Sequence, residues 1–88
     1  MEIIRDNELL YIGEKENPEA FIKYKIQNGE IAVVSTVVKE SLRGQGIAEK
    51  LMDKVVEIAK KENLKINPIC SYADVYLRKR EELLYLRA

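Results

Sequence analysis

The stretch IAVVSTVVKESLRGQGIA, residues 31–48, decides the fold because an extended apolar segment runs into a turn that contains two glycines. Residues 31–38 are rich in β-branched side chains and nearly uniformly apolar, which predicts a central strand covered on both faces. After the glycines, apolar residues return at helical spacing with charged residues between them. This spacing predicts an amphipathic helix from about Arg43 to Glu62, with Asn63 as a left-handed C-terminal cap.

The residues before this stretch have the pattern of antiparallel strands. A first strand is expected at residues 2–5 and a second at residues 8–12. From Ala20 every second residue is apolar, as in a strand with one buried face. Asn28-Gly29 then supplies the two residues of positive φ that a type I′ hairpin turn requires, so this strand should pair with residues 31–38.

The residues after the predicted helix complete a mixed sheet. Residues 64–69 are expected to form a strand, and Pro68 near its end suits an edge or splayed strand. A last helix is expected at residues 71–86. The order is therefore β-β-β-β-α-β-α, an α/β fold (α+β, mixed sheet) in which an antiparallel meander leads into a right-handed β-α-β crossover. Residues 1–88 are predicted to form a single domain.

The composition argues against several classes of function. Fifteen Lys and Arg residues balance fifteen Asp and Glu residues among 88, so neither nucleic acid nor a membrane is expected as a partner. Histidine is absent and Cys70 is the single cysteine, so the commonest metal ligand and a thiolate cage are both missing and no metal is expected. Without a signal-peptide pattern, a membrane-spanning run or a second cysteine, the expected location is cytoplasmic.

The turn RGQGIA at residues 43–48 has the chemistry of an anion-binding site. Gly44 and Gly46 permit a tight backbone turn that brings N–H groups close to a ligand. The first turn of the following helix has N–H groups without intrahelical acceptors, and the positive end of the helix dipole lies there. A phosphate or diphosphate suits such a site, with Arg43 as an additional cation. A P-loop is excluded because no Gly-Lys-Ser/Thr ending follows, and a dinucleotide fingerprint because the third glycine is absent.

The spacing within this turn resembles the acyl-coenzyme A signature of the GNAT acetyltransferase superfamily. That signature is Arg or Gln, two residues, Gly, one residue, and then Gly or Ala, and Arg43, Gly46 and Ala48 fit it. Nearly the whole chain is similar to the minimal single-domain GNAT-like N-acetyltransferases, whose second landmark is a Pro-x-Cys segment followed by a tyrosine. Pro68-Ile69-Cys70 and Tyr76 match that landmark.

The resemblance implies a fold, a co-substrate and a reaction. The fold is the GNAT core, a splayed sheet whose gap between parallel strands receives the coenzyme A arm. The reaction transfers an acetyl group from acetyl-CoA to an amine on an unidentified small molecule or protein, and the acting species is a monomer or weak dimer. The implied cofactor-binding residues are the turn, which cradles the diphosphate, and two strand residues whose main chain meets the pantetheine arm or thioester: Val37, Val38, Arg43, Gly44, Gln45, Gly46, Ile47 and Ala48.

Two residues are candidates for the chemistry itself. Tyr76 matches the GNAT tyrosine that protonates the departing thiolate, although a tyrosine on a helix face also suits core packing. Cys70 is expected to line the pocket, and the alternatives are a transient acyl carrier and a mixed disulfide with coenzyme A. Arg43 either pairs with phosphate or is an exposed residue at a helix start.

The chain also departs from the pattern of such relatives. They have His-Thr where this chain has Ser35-Thr36, Pro where it has Glu40, and a His-Pro-Glu-Tyr-like segment where Arg80 begins residues 80–83. Both family histidines are thus replaced. The replacements favour an alternative function, a non-catalytic or weakly catalytic coenzyme A-binding or protein-interaction module. A purely structural domain is the third alternative, and it predicts no binding of coenzyme A.

Overall fold

A computed structural model describes residues 2–88 as a five-stranded sheet with two α-helices. The strands lie in the order β1-β2-β3-β4-β5, antiparallel from β1 to β4 and parallel between β4 and β5. The predicted fold class and element order are therefore confirmed. The elements are β1 (Ile4–Asp6), β2 (Leu9–Glu14), β3 (Asn17–Gln27), β4 (Glu30–Val38), α1 (Ile47–Lys61), β5 (Lys65–Pro68) and α2 (Ser71–Arg78), with short 3-10 helices at Glu40–Leu42 and Glu81–Leu86.

Tight turns at asparagine residues set the antiparallel half of the sheet. Asn28 and Gly29 have φ values of 54° and 75°, the two positive angles of the predicted type I′ turn, which is confirmed. The prediction of a first strand at residues 2–5 is wrong in its bounds. β1 runs from Ile4 to Asp6 because the turn that ends it is built around Asn7, with φ of 55°. β3 also begins earlier than predicted, at Asn17.

One face of β4 is open over its second half, so the prediction of a strand covered on both faces is wrong. Ile31 and Val33 are fully buried, whereas Val34 and Val37 are 41% and 44% exposed. A register shift against β3 places Val34 in a β-bulge, because Ser35 and Val33 pair with successive residues of β3. Both helices contribute to a single core cluster on one face of the sheet. Within residues 2–88 no helix covers the other face.

The parallel strands β4 and β5 separate after four paired residues. β5 is shorter than the predicted 64–69 and pairs with Glu30–Val33 only. The N–H of Cys70 then donates to the carbonyl of Val33 at 3.0 Å, and the chain turns into α2. The remainder of β4 therefore pairs with β3 alone, which leaves the sheet splayed at this end.

α1 has the predicted apolar face but a later start. It begins at Ile47 rather than at Arg43, because Gly44 and Gly46 have φ values of 82° and 71° that no helix contains. At its other end Asn63 has a φ of 56°, and the N–H of the next residue, Leu64, donates to the carbonyl of Ala59 at 2.8 Å. This is the predicted left-handed cap. The helix buries Ile47, Leu51, Met52, Val55, Val56, Ile58 and Ala59.

The prediction of one helix over residues 71–86 is wrong because the segment is broken in the middle. α2 ends at Arg78, and Arg80 has φ of −126° and ψ of 85°, outside the helical region. The 3-10 helix that follows turns Leu83 and Leu86 into the core, where they are 8% and 5% exposed. A continuous α-helix would have carried this segment away from the sheet.

Candidate functional site

A cavity of about 420 Å³ lies where β4 ends and α1 and α2 begin. Seven of the eight predicted cofactor-binding residues line it, and Gln45 is the exception. The structure also adds four residues that were not predicted for the cofactor site. The lining consists of Thr36, Val37, Val38, Leu42, Arg43, Gly44, Gly46, Ile47, Ala48, Glu49 and Tyr72.

The glycine turn forms one wall of the cavity, directly before α1. Gly44 and Gly46 both have positive φ, which side chains other than glycine adopt at a cost. A Cβ atom added at either glycine would have no neighbouring atom within 4 Å, so the space beside the turn is open. The glycines are therefore required by the backbone angles, and the open space is available to a ligand.

The first turn of α1 supplies the donors. Ile47, Ala48 and Glu49 are its first three residues, and their N–H groups lack partners within the helix, while that of Lys50 already donates to the carbonyl of Gly46 at 3.1 Å. The positive end of the helix dipole adds to these donors. Together they can bind an anionic oxygen cluster such as a diphosphate.

The charges in the cavity wall are mixed. Among the described residues that line it, Arg43 and Glu49 are the charged ones. Nε of Arg43 donates to the carbonyl of Val38 at 3.4 Å, which ties the glycine turn to the end of β4. The carboxylate of Glu49 is bound by Arg80 at 2.7 Å. The wall thus has one cation beside the backbone donors and one carboxylate whose charge is balanced from outside the cavity.

The end of β4 forms the opposite wall. Thr36, Val37 and Val38 line the cavity beyond the point where β5 leaves β4. On that edge their main-chain groups have no strand partner among residues 2–88. An extended ligand lying along the edge can therefore form strand-like hydrogen bonds, which suits the amides of a pantetheine arm.

Tyr76, the predicted proton donor, lies beside the cavity without lining it. Its side chain is 4% exposed, and its hydroxyl donates to Oδ1 of Asp53 at 2.6 Å. The guanidinium of Arg80 lies over its ring, 3.8 Å from the centroid. Burial, together with the Asp53 carboxylate, raises the pKa of Tyr76 well above its ordinary range. Its hydroxyl is protonated and engaged, and its role as a proton donor stays a prediction.

Tyr72, for which the sequence analysis predicts no role in the site, lines the cavity. It is 37% exposed and lies in the first turn of α2. Burial and then the nearby Glu49 carboxylate raise its pKa. The distinction between Tyr72 and Tyr76 depends on how α2 is rotated against α1, which helical spacing alone does not determine. Position 72 lies two residues after the predicted pocket cysteine, and that closeness is the signal available in the sequence.

Cys70 is the N-cap of α2, and it lies at the base of the gap between the parallel strands. Its Sγ accepts from the N–H of Ala73 at 3.4 Å and lies 3.4 Å from Oγ1 of Thr36, a cavity residue. Cys70 itself is partly buried and does not line the cavity. Cys70 therefore reaches the cavity only through its contact with Thr36, and its expected role at the coenzyme A pocket stays a prediction.

The other singled-out polar residues lie outside the cavity. Gln45 is exposed, and its side chain reaches the carbonyl of Ser41 at 3.5 Å. Glu40 is exposed in the first 3-10 helix. Ser35 pairs with Lys23 of β3, next to the bulge. Within residues 2–88 no group of three or more potential acidic or cysteine ligands is close enough to hold a metal, and no helix is both long and apolar enough to cross a bilayer.

The splayed β4–β5 junction and the cavity beside it define a mixed α/β domain whose cavity lies at the open end of the sheet. A family model described as GCN5-related N-acetyltransferase matches residues 9–86. The chain therefore belongs to the GCN5-related N-acetyltransferase (GNAT) family, which confirms the resemblance predicted from the glycine turn and the Pro-x-Cys segment.

One solved structure supports the same assignment over the whole fold. The NMR solution structure of a GCN5-like candidate N-acetyltransferase from Staphylococcus aureus matches with a TM-score of 0.83 and 37% sequence identity. The match covers 99% of this chain and 87% of that chain. A search of curated proteins gave no match.

Proposed function

We propose that this chain binds acetyl-CoA in the 420 Å³ cavity and transfers its acetyl group to an amine. Membership of the GNAT family supports acetyl transfer as the class of reaction. The observation that carries the choice of co-substrate is the position of the cavity, between the first-turn amides of α1 and the unpaired edge of β4. One end suits a diphosphate and the other suits an extended amide chain.

The proposed binding mode follows from these two walls. The diphosphate lies against the N–H groups of residues 46–49, with Arg43 as its cation. The pantetheine arm runs along Val37 and Val38 toward Thr36. The thioester then lies near the separation of β4 and β5, where the sheet is open between these two strands.

The chemistry requires positioning more than covalent help. The amine nitrogen attacks the thioester carbonyl carbon, a C–N bond forms, and the C–S bond breaks. The nitrogen loses a proton to solvent, and the departing thiolate gains one. Because the thioester is already activated, orientation and polarisation of its carbonyl provide most of the acceleration.

Two tyrosines compete for the role of proton donor to the thiolate. Tyr76 holds the position that the family resemblance assigns, but its hydroxyl already donates to Asp53. Tyr72 lies in the cavity wall, where burial raises the pKa of its hydroxyl, and no hydrogen-bond partner of that hydroxyl is seen within residues 2–88. The cavity geometry favours Tyr72, and the assignment by resemblance favours Tyr76.

The engagement of the Tyr76 hydroxyl also favours the second candidate function, a coenzyme A-binding module with little catalysis. The experiment that separates the two is release of free thiol from acetyl-CoA across a panel of primary amines, arylamines and lysine-containing peptides. Turnover with any amine that falls at least tenfold in Tyr72→Phe or Tyr76→Phe supports the enzyme. Binding of acetyl-CoA without turnover supports the module, and no binding refutes both.

A further inference from the structure

Arg80 joins the two helices at the edge of the cavity. Its Nη2 donates to Oε2 of Glu49 at 2.7 Å, and its Nη1 donates to the carbonyl of Tyr76 at 3.1 Å. Its guanidinium also stacks on the Tyr76 ring. The Arg80 side chain is 25% exposed, whereas that of Glu49 is 56% exposed. Arg80 is therefore fixed from three directions, and it fixes Glu49 in turn.

Glu49 is in an unfavourable place for a protein that binds a diphosphate. Glu49 is a lining residue of the cavity in the first turn of α1, and its carboxylate is close enough to Tyr72, another lining residue, to add to burial in raising the pKa of that tyrosine. A carboxylate in the first turn stabilises a free helix through the helix dipole, but it repels an anionic ligand at the same position. Since Glu49 is one of two charged residues among the described cavity residues, its charge must be compensated for the anion to bind well.

We infer that Arg80 is a positioning residue for the cofactor, which holds the Glu49 carboxylate against α2 and cancels its charge in the wall of the diphosphate site. This inference rests on the proposed function. Arg80 does not line the cavity, so it acts through Glu49 and not by direct contact with the ligand. The ion pair balances the Glu49 carboxylate, which leaves Arg43 and the first-turn N–H groups as the net positive groups of the wall. The stacking on Tyr76 keeps the guanidinium in place when the ligand is absent.

The test is a double-mutant cycle that uses acetyl-CoA and, as a probe without the diphosphate, acetyl-pantetheine. In Arg80→Gln we expect acetyl-CoA to bind about tenfold more weakly, because an uncompensated carboxylate then faces the anion across a partly solvated site. Glu49→Gln should bind acetyl-CoA at least as tightly as wild type. The double variant should match Glu49→Gln within about twofold, and acetyl-pantetheine should bind alike to all four proteins.

Two further variants separate electrostatics from folding. Arg80→Lys keeps the cation and should recover most of the affinity for acetyl-CoA. Arg78→Gln removes the same charge two residues earlier, at the end of α2, but Arg78 pairs with Asp74 at 3.2 Å, so we expect wild-type binding. Thermal unfolding of each variant shows that the comparison is made between folded proteins.

Several results would overturn the inference. Arg80→Gln could bind acetyl-CoA within twofold of wild type, or the loss could persist in the double variant, which would mean that Arg80 touches the ligand or only supports the fold. An equal loss for acetyl-pantetheine or in Arg78→Gln would exclude a local charge effect. If the wild-type protein bound no acetyl-CoA, the proposed function would fail and the inference with it, whereas binding with an unaffected Arg80→Gln refutes the inference alone.

Discussion

β4 begins and ends beside a glycine turn of positive φ, and the two ends differ in what lies next to them. At its start, Gly29 closes a two-residue hairpin, and the N–H of Lys65 donates to its carbonyl at 3.0 Å. β3 and β5 flank this half on both sides, and Ile31 is fully buried. We call this half, residues 29–33, the closed end.

At the other end the same backbone chemistry produces a cavity. β5 has already left β4, Val37 is 44% exposed, and Gly46 leads into an unpaired first turn of α1. We call this half, with the glycine turn, the open end. The comparison teaches that the positive-φ glycines border a cavity only at the end of β4 where the neighbouring strand is missing. The predictions that follow test this contrast.

The largest effect on stability is expected at the closed end. Ile31→Ala removes a fully buried side chain and should lower the free energy of unfolding by about 3 kcal/mol. Val37→Ala, at the open end, should cost less than about 1 kcal/mol because the side chain is already 44% exposed. Urea unfolding at constant pH measures both, and Ile31→Val provides a milder version. Equal costs at the two positions would contradict the contrast.

The largest effect on binding is expected at the open end. Gly46→Ala places a side chain at a φ of 71°. The strain should move the first-turn amides and weaken the binding of acetyl-CoA at least tenfold. Gly29→Ala is the matched control, because its φ is 75° and an added Cβ there also meets open space. Both variants should lose about 1–2 kcal/mol of stability. Isothermal titration distinguishes them, and equal weakening in both would remove the basis for a ligand site at the open end.

Tyr76→Phe tests whether Tyr76 belongs to the packing between helices. Loss of the bond to Asp53 should cost about 0.5–1.5 kcal/mol. The folded-state pKa of Tyr76 lies above its ordinary value of 10.0, so the folded protein keeps the proton longer than the unfolded chain. Its contribution to stability is therefore complete below about pH 10 and is lost as pH rises further. The free energy of unfolding, measured across alkaline pH, should fall less steeply with pH in Tyr76→Phe than in wild type. Parallel profiles for the two proteins would contradict this assignment.

The smallest effect is expected at Cys70, between the two ends. Cys70→Ala removes the acceptor for the Ala73 N–H and should lower stability by about 0.5–1 kcal/mol, whereas Cys70→Ser should restore most of it. Intact mass spectrometry with acetyl-CoA then separates the expected chemical roles. An unmodified thiol fits a structural cap, and an added acetyl group or coenzyme A would show a transient carrier or a mixed disulfide.

Local sequence patterns were sufficient to predict the turns and the order of the elements. Asn28-Gly29 and Asn63 permit few backbone conformations, and both adopt the predicted ones. The order of strands and helices followed from hydrophobic spacing in the same way. The spacing of Arg43, Gly46 and Ala48 was enough to indicate the family, because the backbone needs glycine and small residues there whatever surrounds them.

The features that shape the site depend on contacts between distant segments, and no local pattern predicted them. The bulge at Val34 results from pairing with β3, and the break at Arg80 lets Leu83 and Leu86 reach the core. The placement of Tyr72 in the cavity wall and of Tyr76 in the core depends on the packing of α2 against α1. The predicted helix start at Arg43 is wrong because apolar spacing after the glycines does not show that Gly44 and Gly46 take positive φ values before the first helical turn.

The most direct measurement is the shift of backbone amide resonances as acetyl-CoA is titrated into the isotopically labelled protein. We expect the amides of Gly44, Gly46, Ile47 and Ala48 to move in a saturable way while that of Gly29 stays fixed. Unchanged resonances at the open end under saturating acetyl-CoA, or equal movement at Gly29, would contradict the assignment of the cavity as the cofactor site.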